Sequence, residues 1–277
     1  MSLDNAPLGH DVTYPGVYDP TLLFPIDRAE NRATLGLSAA ATGLPFIGGD
    51  IWNAYELSWL NPRGKPALAI AVFQVPANTP RIIESKSFKL YLNSYNQTRI
   101  AGPAQLRTQL ATDLAAAAGG PVGVELIFPE SFDALSLGEL AGESLDDQDV
   151  AIDTYLPAPE LLEGAASGDD VEETLMSRLL KSNCPVTGQP DWGSVQIRYR
   201  GPRIDRARLL AYIVSFREHA EFHEHCVERM FVDIMRACRP RRLSVYARYT
   251  RRGGLDINPW RATPGEPAPA NLRNARQ

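Results

Sequence analysis

Trp52-Asn-Ala-Tyr-Glu-Leu-Ser-Trp59 alternates large apolar with polar residues, and beyond the link Asn61-Pro-Arg-Gly-Lys-Pro66 the run from Ala67 to Val75 is apolar and partly β-branched. Period-2 alternation marks a half-buried strand, and a link with two prolines and a glycine ends any regular element. The two runs predict a β-hairpin, so the architecture grows from an antiparallel sheet. Downstream, Phe88, Tyr91, Leu92 and Tyr95 recur at helical spacing between Glu84 and Tyr95. Gln105 to Ala118 predicts a second helix, closed by Gly119-Gly120, and Pro121 to Pro129 alternates as a strand. The order is strand, strand, helix, helix, strand.

Upstream, Met1 to Ala40 carries Pro7, Pro15, Pro20 and Pro25 among polar and aromatic residues, which predicts an irregular arm. From Ser136 to Gly168 the chain turns acidic and rich in Gly, Ala and Pro, a crossing segment with a short strand near Val150 to Tyr155. Val171 to Leu180 reads as a short helix capped by Asp169 or Asp170. Ser194 to Tyr199 is a strand, and Asp205 to Arg217 and Glu221 to Cys238 are helices. Val227, Met230, Phe231, Ile234 and Met235 stripe the second of these. Leu243 to Tyr249 and Asp256 to Trp260 are final strands. The chain is therefore α+β, with a first module and its arm over residues 1–160 and a second over 161–277.

Composition excludes several classes. At 277 residues, 44% hydrophobic and 22% charged, the chain is ordinary soluble material. Cys184, Cys226 and Cys238 are too few and too oddly numbered for a disulfide framework, which suits a reducing cytosol. No signal-peptide pattern opens the chain and no apolar run is long enough for a bilayer, so a cytoplasmic location is expected. The net charge of -5 argues against a nucleic-acid scaffold, while arginines clustered after Arg198 suit a small phosphorylated ligand.

Four stretches carry candidate chemistry. Ser182-Asn-Cys-Pro-Val-Thr-Gly-Gln-Pro-Asp191 holds Cys184 in a turn-rich loop that displays the thiol and brings Asp191 back towards it. A thiol buried in a tight turn is the competing reading. In Glu84-Ser-Lys-Ser-Phe-Lys89, the N–H groups of a helix start, with Ser85, Lys86 and Ser87, suit a phosphate, whereas solvated lysines on a capped surface helix would look the same. Phe222-His-Glu-His-Cys226 offers a general acid or base beside a carboxylate. It also permits a metal, because His219 and His223 are four apart, a spacing that on a helix puts both imidazoles on one face, and Cys226 is three further on. Arg251-Arg-Gly-Gly254 joins an arginine pair to glycines that allow close backbone approach, as a plain hairpin turn also would.

Together, Glu84-Ser-Lys-Ser-Phe-Lys89, Cys184-Pro-Val-Thr-Gly-Gln-Pro-Asp-Trp-Gly193, Phe222-His-Glu224 and Arg252-Gly-Gly-Leu-Asp-Ile-Asn-Pro259 closely resemble the NADPH-dependent 7-cyano-7-deazaguanine reductases of the queuosine pathway, in their long two-module form. The resemblance implies tandem tunnelling-fold modules, each an antiparallel sheet with two helices on one face. It implies reduction of the nitrile of 7-cyano-7-deazaguanine to a primary amine, with Cys184 adding to the nitrile carbon as a covalent thioimide. Asp191 would move the proton, its carboxyl kept neutral by burial, and His223 would help close the site. Ile83, Glu84, Ser85, His223 and Glu224 would bind the base, carboxylates being the acceptors suited to its N–H edge. NADPH would be held by Ser85, Lys86, Arg252 and Gly253, with Lys89 in support, and no metal is implied. A homodimer with no direct nucleic-acid or membrane contact is expected. The alternative is a metal-dependent tunnelling-fold enzyme acting on a purine or pterin through Cys184, His223 or Cys226.

Overall fold

The computed structural model describes residues 14–37 and 43–277. Its backbone divides into two units. The first comprises the described residues up to Thr34, Gly49–Ser136 and Arg251–Asp256; the second comprises those of Leu35–Gly48, with Leu137–Thr250 and Ile257–Gln277. The division is discontinuous along the chain, unlike the single cut expected at 160/161.

In the first unit β1 (Pro25–Asp27) pairs antiparallel with β4 (Arg81–Ile83), and helix α1 (Arg28–Thr34) follows β1. The described part of the expected irregular arm is thus partly regular. Arg28, fully buried, anchors it through Asp50 at 2.6 Å. The predicted hairpin is present as β2 (Ile47–Leu60) and β3 (Pro66–Pro76), paired from Gly49↔Pro76 to Leu60↔Pro66 with a bulge between Ala54 and Leu57. β5 (Gly123–Ile127) pairs on the other side of β3. Between them run α2 (Ser85–Asn93) and α3 (Pro103–Ala118), the latter stopped by Gly119 in the left-handed region. Trp52 and Phe73 are register partners, so they share a face, and Phe88 of α2 packs on both at centroid distances of 5.2 and 5.0 Å.

In the second unit the strand order is β11-β10-β9-β7-β6: β6 (Glu143–Ser144), β7 (Ala166–Ser177), β9 (Pro190–Ile204), β10 (Arg242–Tyr249) and β11 (Leu255–Ala262), with the short β8 (Lys181–Asn183) also on β9. All pairs are antiparallel except β6 with β7. Helices α4 (Arg206–Ser215), capped by Asp205, and α5 (His223–Cys238) lie between β9 and β10. Val227, Met230, Phe231 and Ile234 are buried along α5, where it packs on β10.

Three expectations are corrected. Val171 to Leu180 is not a helix; β7 runs through it and pairs with β9 from Ala166↔Ile204 to Ser177↔Val195. Its short apolar pattern was ambiguous, and pairing with a long neighbouring strand outweighed local propensity. Asp170 follows a register shift in that ladder rather than capping a helix. Val150 to Tyr155 forms no strand; the crossing segment's extended pieces are β6 and the first residues of β7. Among the described residues, no helix is long and apolar enough to cross a membrane.

Candidate active site

The cysteine loop is set by the ladder of β8 on β9, in which Ser182 pairs with Asp191 and Asn183 with Pro190. Partners across an antiparallel pair project to one face, and so do residues two apart, so the register gathers Ser182, Cys184 and Asp191. The loop closes on itself: Cys184 N donates to Gln189 O at 2.9 Å and Gly188 N donates to Cys184 O at 3.0 Å, with Gly188 at a positive φ of 67°. The thiol is not displayed as expected; Cys184 is only 4% exposed, because the register turns its side chain inward.

Asp191 is equally buried, and His223 Nε2 lies 3.2 Å from its Oδ2. His223 is the first residue of α5, which directs its ring away from the helix body, and Glu224 beside it is 2% exposed. The imidazole lies flat on Tyr249 of β10, centroids 3.8 Å apart and planes 4° apart. Three buried polar atoms here make no hydrogen bond of good geometry among the described residues: His223 Nδ1, Ser182 Oγ and the Tyr249 hydroxyl, the last two lying near each other and Cys226.

Cys226 is fully buried behind this cluster, and burial pushes its thiol up to about 12, which keeps it protonated and unreactive. His219 does not share a helix face with His223, since α5 begins only at His223. Burial pushes His219 down to about 4. Among the described residues, no three His, Cys, Asp or Glu side chains are grouped as metal ligands.

In the first unit, Ile83 ends β4, and Glu84 is the fully buried N-cap of α2. Its carboxylate accepts from Lys86 N at 2.6 Å and Ser87 N at 2.7 Å. The N–H groups expected to hold a phosphate are therefore taken by the chain's own carboxylate. Burial raises the Glu84 pKa, opposed by those two N–H groups and by Lys89. Ser85 and Lys86 are partly exposed, with Lys86 Nζ 6.0 Å from the Tyr14 ring centroid. Lys89, Asn93, Glu56, Gly253 and Gly254 line a cavity of about 270 Å³. Both glycines have positive φ, 57° and 72°, and a Cβ at Gly254 would stand 2.3 Å from Glu56 Cδ. Lys89 is the one cationic side chain among those lining residues, beside a backbone cradle in which a side chain at Gly254 would collide with Glu56.

Sequence reasoning missed Ser182 and Tyr249. Each is placed by strand register, for which no local motif exists.

In chemical class, the second unit holds a buried thiol, carboxyl and imidazole on an α+β scaffold, the kinds of group that nucleophilic catalysis uses. Residues 14–126 match the family model described as nitrile reductase, 7-cyano-7-deazaguanine-reductase N-term, and residues 190–268 match that of the QueF-like protein. The chain is 66% identical over 277 residues to the NADPH-dependent 7-cyano-7-deazaguanine reductase of Bordetella pertussis, covering 100% of both chains. To that of Chromobacterium violaceum it is 60% identical over 274 residues, 99% of this chain and 97% of the relative. To that of Burkholderia lata it is 58% identical over 277 residues, 100% of both. The chain belongs to the family of NADPH-dependent 7-cyano-7-deazaguanine reductases, as the motif resemblance implied.

Proposed function

We propose that this chain reduces the nitrile of 7-cyano-7-deazaguanine to 7-aminomethyl-7-deazaguanine through a thioimide on Cys184, at the expense of two NADPH, in queuosine biosynthesis. The observation that carries the reading is the buried Asp191–His223 pair at 3.2 Å, with Asp191 in register with Ser182 beside Cys184. In the first step the Cys184 sulfur bonds to the nitrile carbon, one C–N π bond breaks, and its electron pair takes a proton at nitrogen. Asp191, acting as the neutral acid, donates that proton, and the thiol proton restores it. A bare nitrogen anion is thereby avoided. His223, 3.2 Å from Asp191, holds that carboxyl in place and closes the pocket.

Burial favours the neutral form of Glu84 and N–H donors favour its anion; the base edge is one more such donor. Glu84 and Glu224 are assigned to the base's N–H groups, with Ile83, Ser85 and His223 completing its contacts. Ser85, Lys86, Lys89, Arg252 and Gly253 would hold NADPH, which when bound supplies hydride. The fold is read as tandem tunnelling-fold modules with helices on one face of each sheet, and β5, the edge of the first unit's sheet, supports a homodimer. Three free thiols suit a cytoplasmic setting.

Incubation with 7-cyano-7-deazaguanine alone tests the chemistry by intact mass. Wild type should gain the mass of the nitrile and Cys184→Ala should not; a wild type without adduct sinks the thioimide.

A further inference from the structure

We infer that Tyr249 is a positioning residue of the Cys184 site: held between Gly193 and His223, its ring sets the plane of the imidazole and with it the His223–Asp191 contact. The inference rests on the functional reading above and extends it to a side chain outside the four motif stretches.

The histidine χ2 torsion is soft, with no staggered wells to choose a ring plane, so the plane must come from neighbours. For His223 that neighbour is Tyr249, parallel to within 4° at 3.8 Å. The other face of the phenol is set by the ladder. Tyr249 pairs with Gly193 of β9, two residues beyond Asp191, and a Cβ at Gly193 would stand 3.2 Å from Tyr249 Cδ1 and 3.3 Å from Cε1. A glycine at 193 is thus what lets the ring come so close to the strand that carries Asp191. The same strand pair therefore fixes both the carboxyl and the platform under its imidazole partner.

The ring rather than the hydroxyl does the positioning. The hydroxyl, fully buried, faces Ser182 and Cys226 in contacts too long or too bent to count as full hydrogen bonds. Removing it loses only those weak contacts, neither of them to His223, whereas removing the ring frees His223 to turn. Its Nε2 then leaves Asp191.

The experiment follows growth of the Cys184 adduct by rapid-quench intact-mass spectrometry at saturating 7-cyano-7-deazaguanine without cofactor. Tyr249→Leu should slow adduct growth about tenfold or more, and Tyr249→Phe should stay within about threefold of wild type. In a His223→Ala background, Tyr249→Leu should add less than about twofold, because residues acting through one another are not additive. Thermal melts check folding, and if Tyr249→Leu does not fold, Tyr249→Met replaces it. A Phe variant as slow as Leu overturns the inference in favour of the hydroxyl. An equal Leu penalty with and without His223 overturns it in favour of general packing. Wild type without adduct would defeat the functional reading itself, a separate result from either of these.

Discussion

Asp191 meets the most exacting demand of any side chain here, since a weakly electrophilic nitrile carbon accepts sulfur only as its nitrogen is protonated. Asp191→Asn keeps the shape and the contact with His223 but holds no acidic proton. It should slow adduct formation by roughly 10² to 10⁴-fold, the usual worth of a positioned acid, while nitrile affinity measured calorimetrically in a Cys184→Ala background stays close to that of Cys184→Ala alone. An unchanged rate would remove Asp191 from the proton's path. The cationic side chains have a different signature. Lys86→Ala or Arg252→Ala should raise the cofactor KM about tenfold or more, since hydrogen bonds from charged donors contribute roughly 1.5–3 kcal/mol each. Adduct mass without cofactor should be unaffected, and its loss would contradict the assignment.

Among the elements, α2 carries a conflict in its own cap. Glu84 closes the helix through two N–H groups yet is fully buried, and burial raises its pKa. A carboxyl whose folded pKa is raised stabilises fully below its unfolded pKa, near 4.5, and that contribution is lost as pH rises through the folded value. Apo stability should therefore fall with pH above about 4.5, and Glu84→Gln, which imitates the neutral form, should flatten that fall while weakening nitrile binding. Melting temperatures from pH 4 to 8 on both proteins read this directly, and parallel curves would refute it. In the second unit, α5 is tied to β11 by Arg261 Nε and Nη2 on Glu228 Oε1 at 3.0 and 2.8 Å, both residues fully buried. Glu228→Gln removes the carboxylate charge held against a buried guanidinium and should cost about 3–5 kcal/mol in denaturant melts.

For the molecule as a whole, acid stability draws on the lowered carboxyls of Glu173 and Glu221 and on the imidazole of His219, which burial keeps neutral. His219 is depressed to about 4, so its contribution is present above its unfolded pKa of 6.5 and is lost as pH falls through about 4. The full shift is worth at most about 3 kcal/mol, and solvent screening of a partly exposed ring reduces that to roughly half. His219→Gln should accordingly lose less stability than wild type between pH 6.5 and 4. Equal losses in chemical denaturation would place the acid sensitivity elsewhere.

The amino-acid sequence by itself determined the β2–β3 hairpin, both helix pairs and the strands after α5, because each carries its period in consecutive residues. The same local information brought together Cys184 with Asp191, His223 with Glu224, and the lysines of α2, as motifs closely matching one family. Tertiary structure alone decided that Val171 to Ser177 is strand, that the Cys184 thiol is buried, that the Glu84 carboxylate occupies the N–H groups of its own helix, and that Tyr249 lies under His223. Strand register and ring stacking join residues far apart in the chain. No local spacing encodes such contacts, and their energies exist only once distant segments have met.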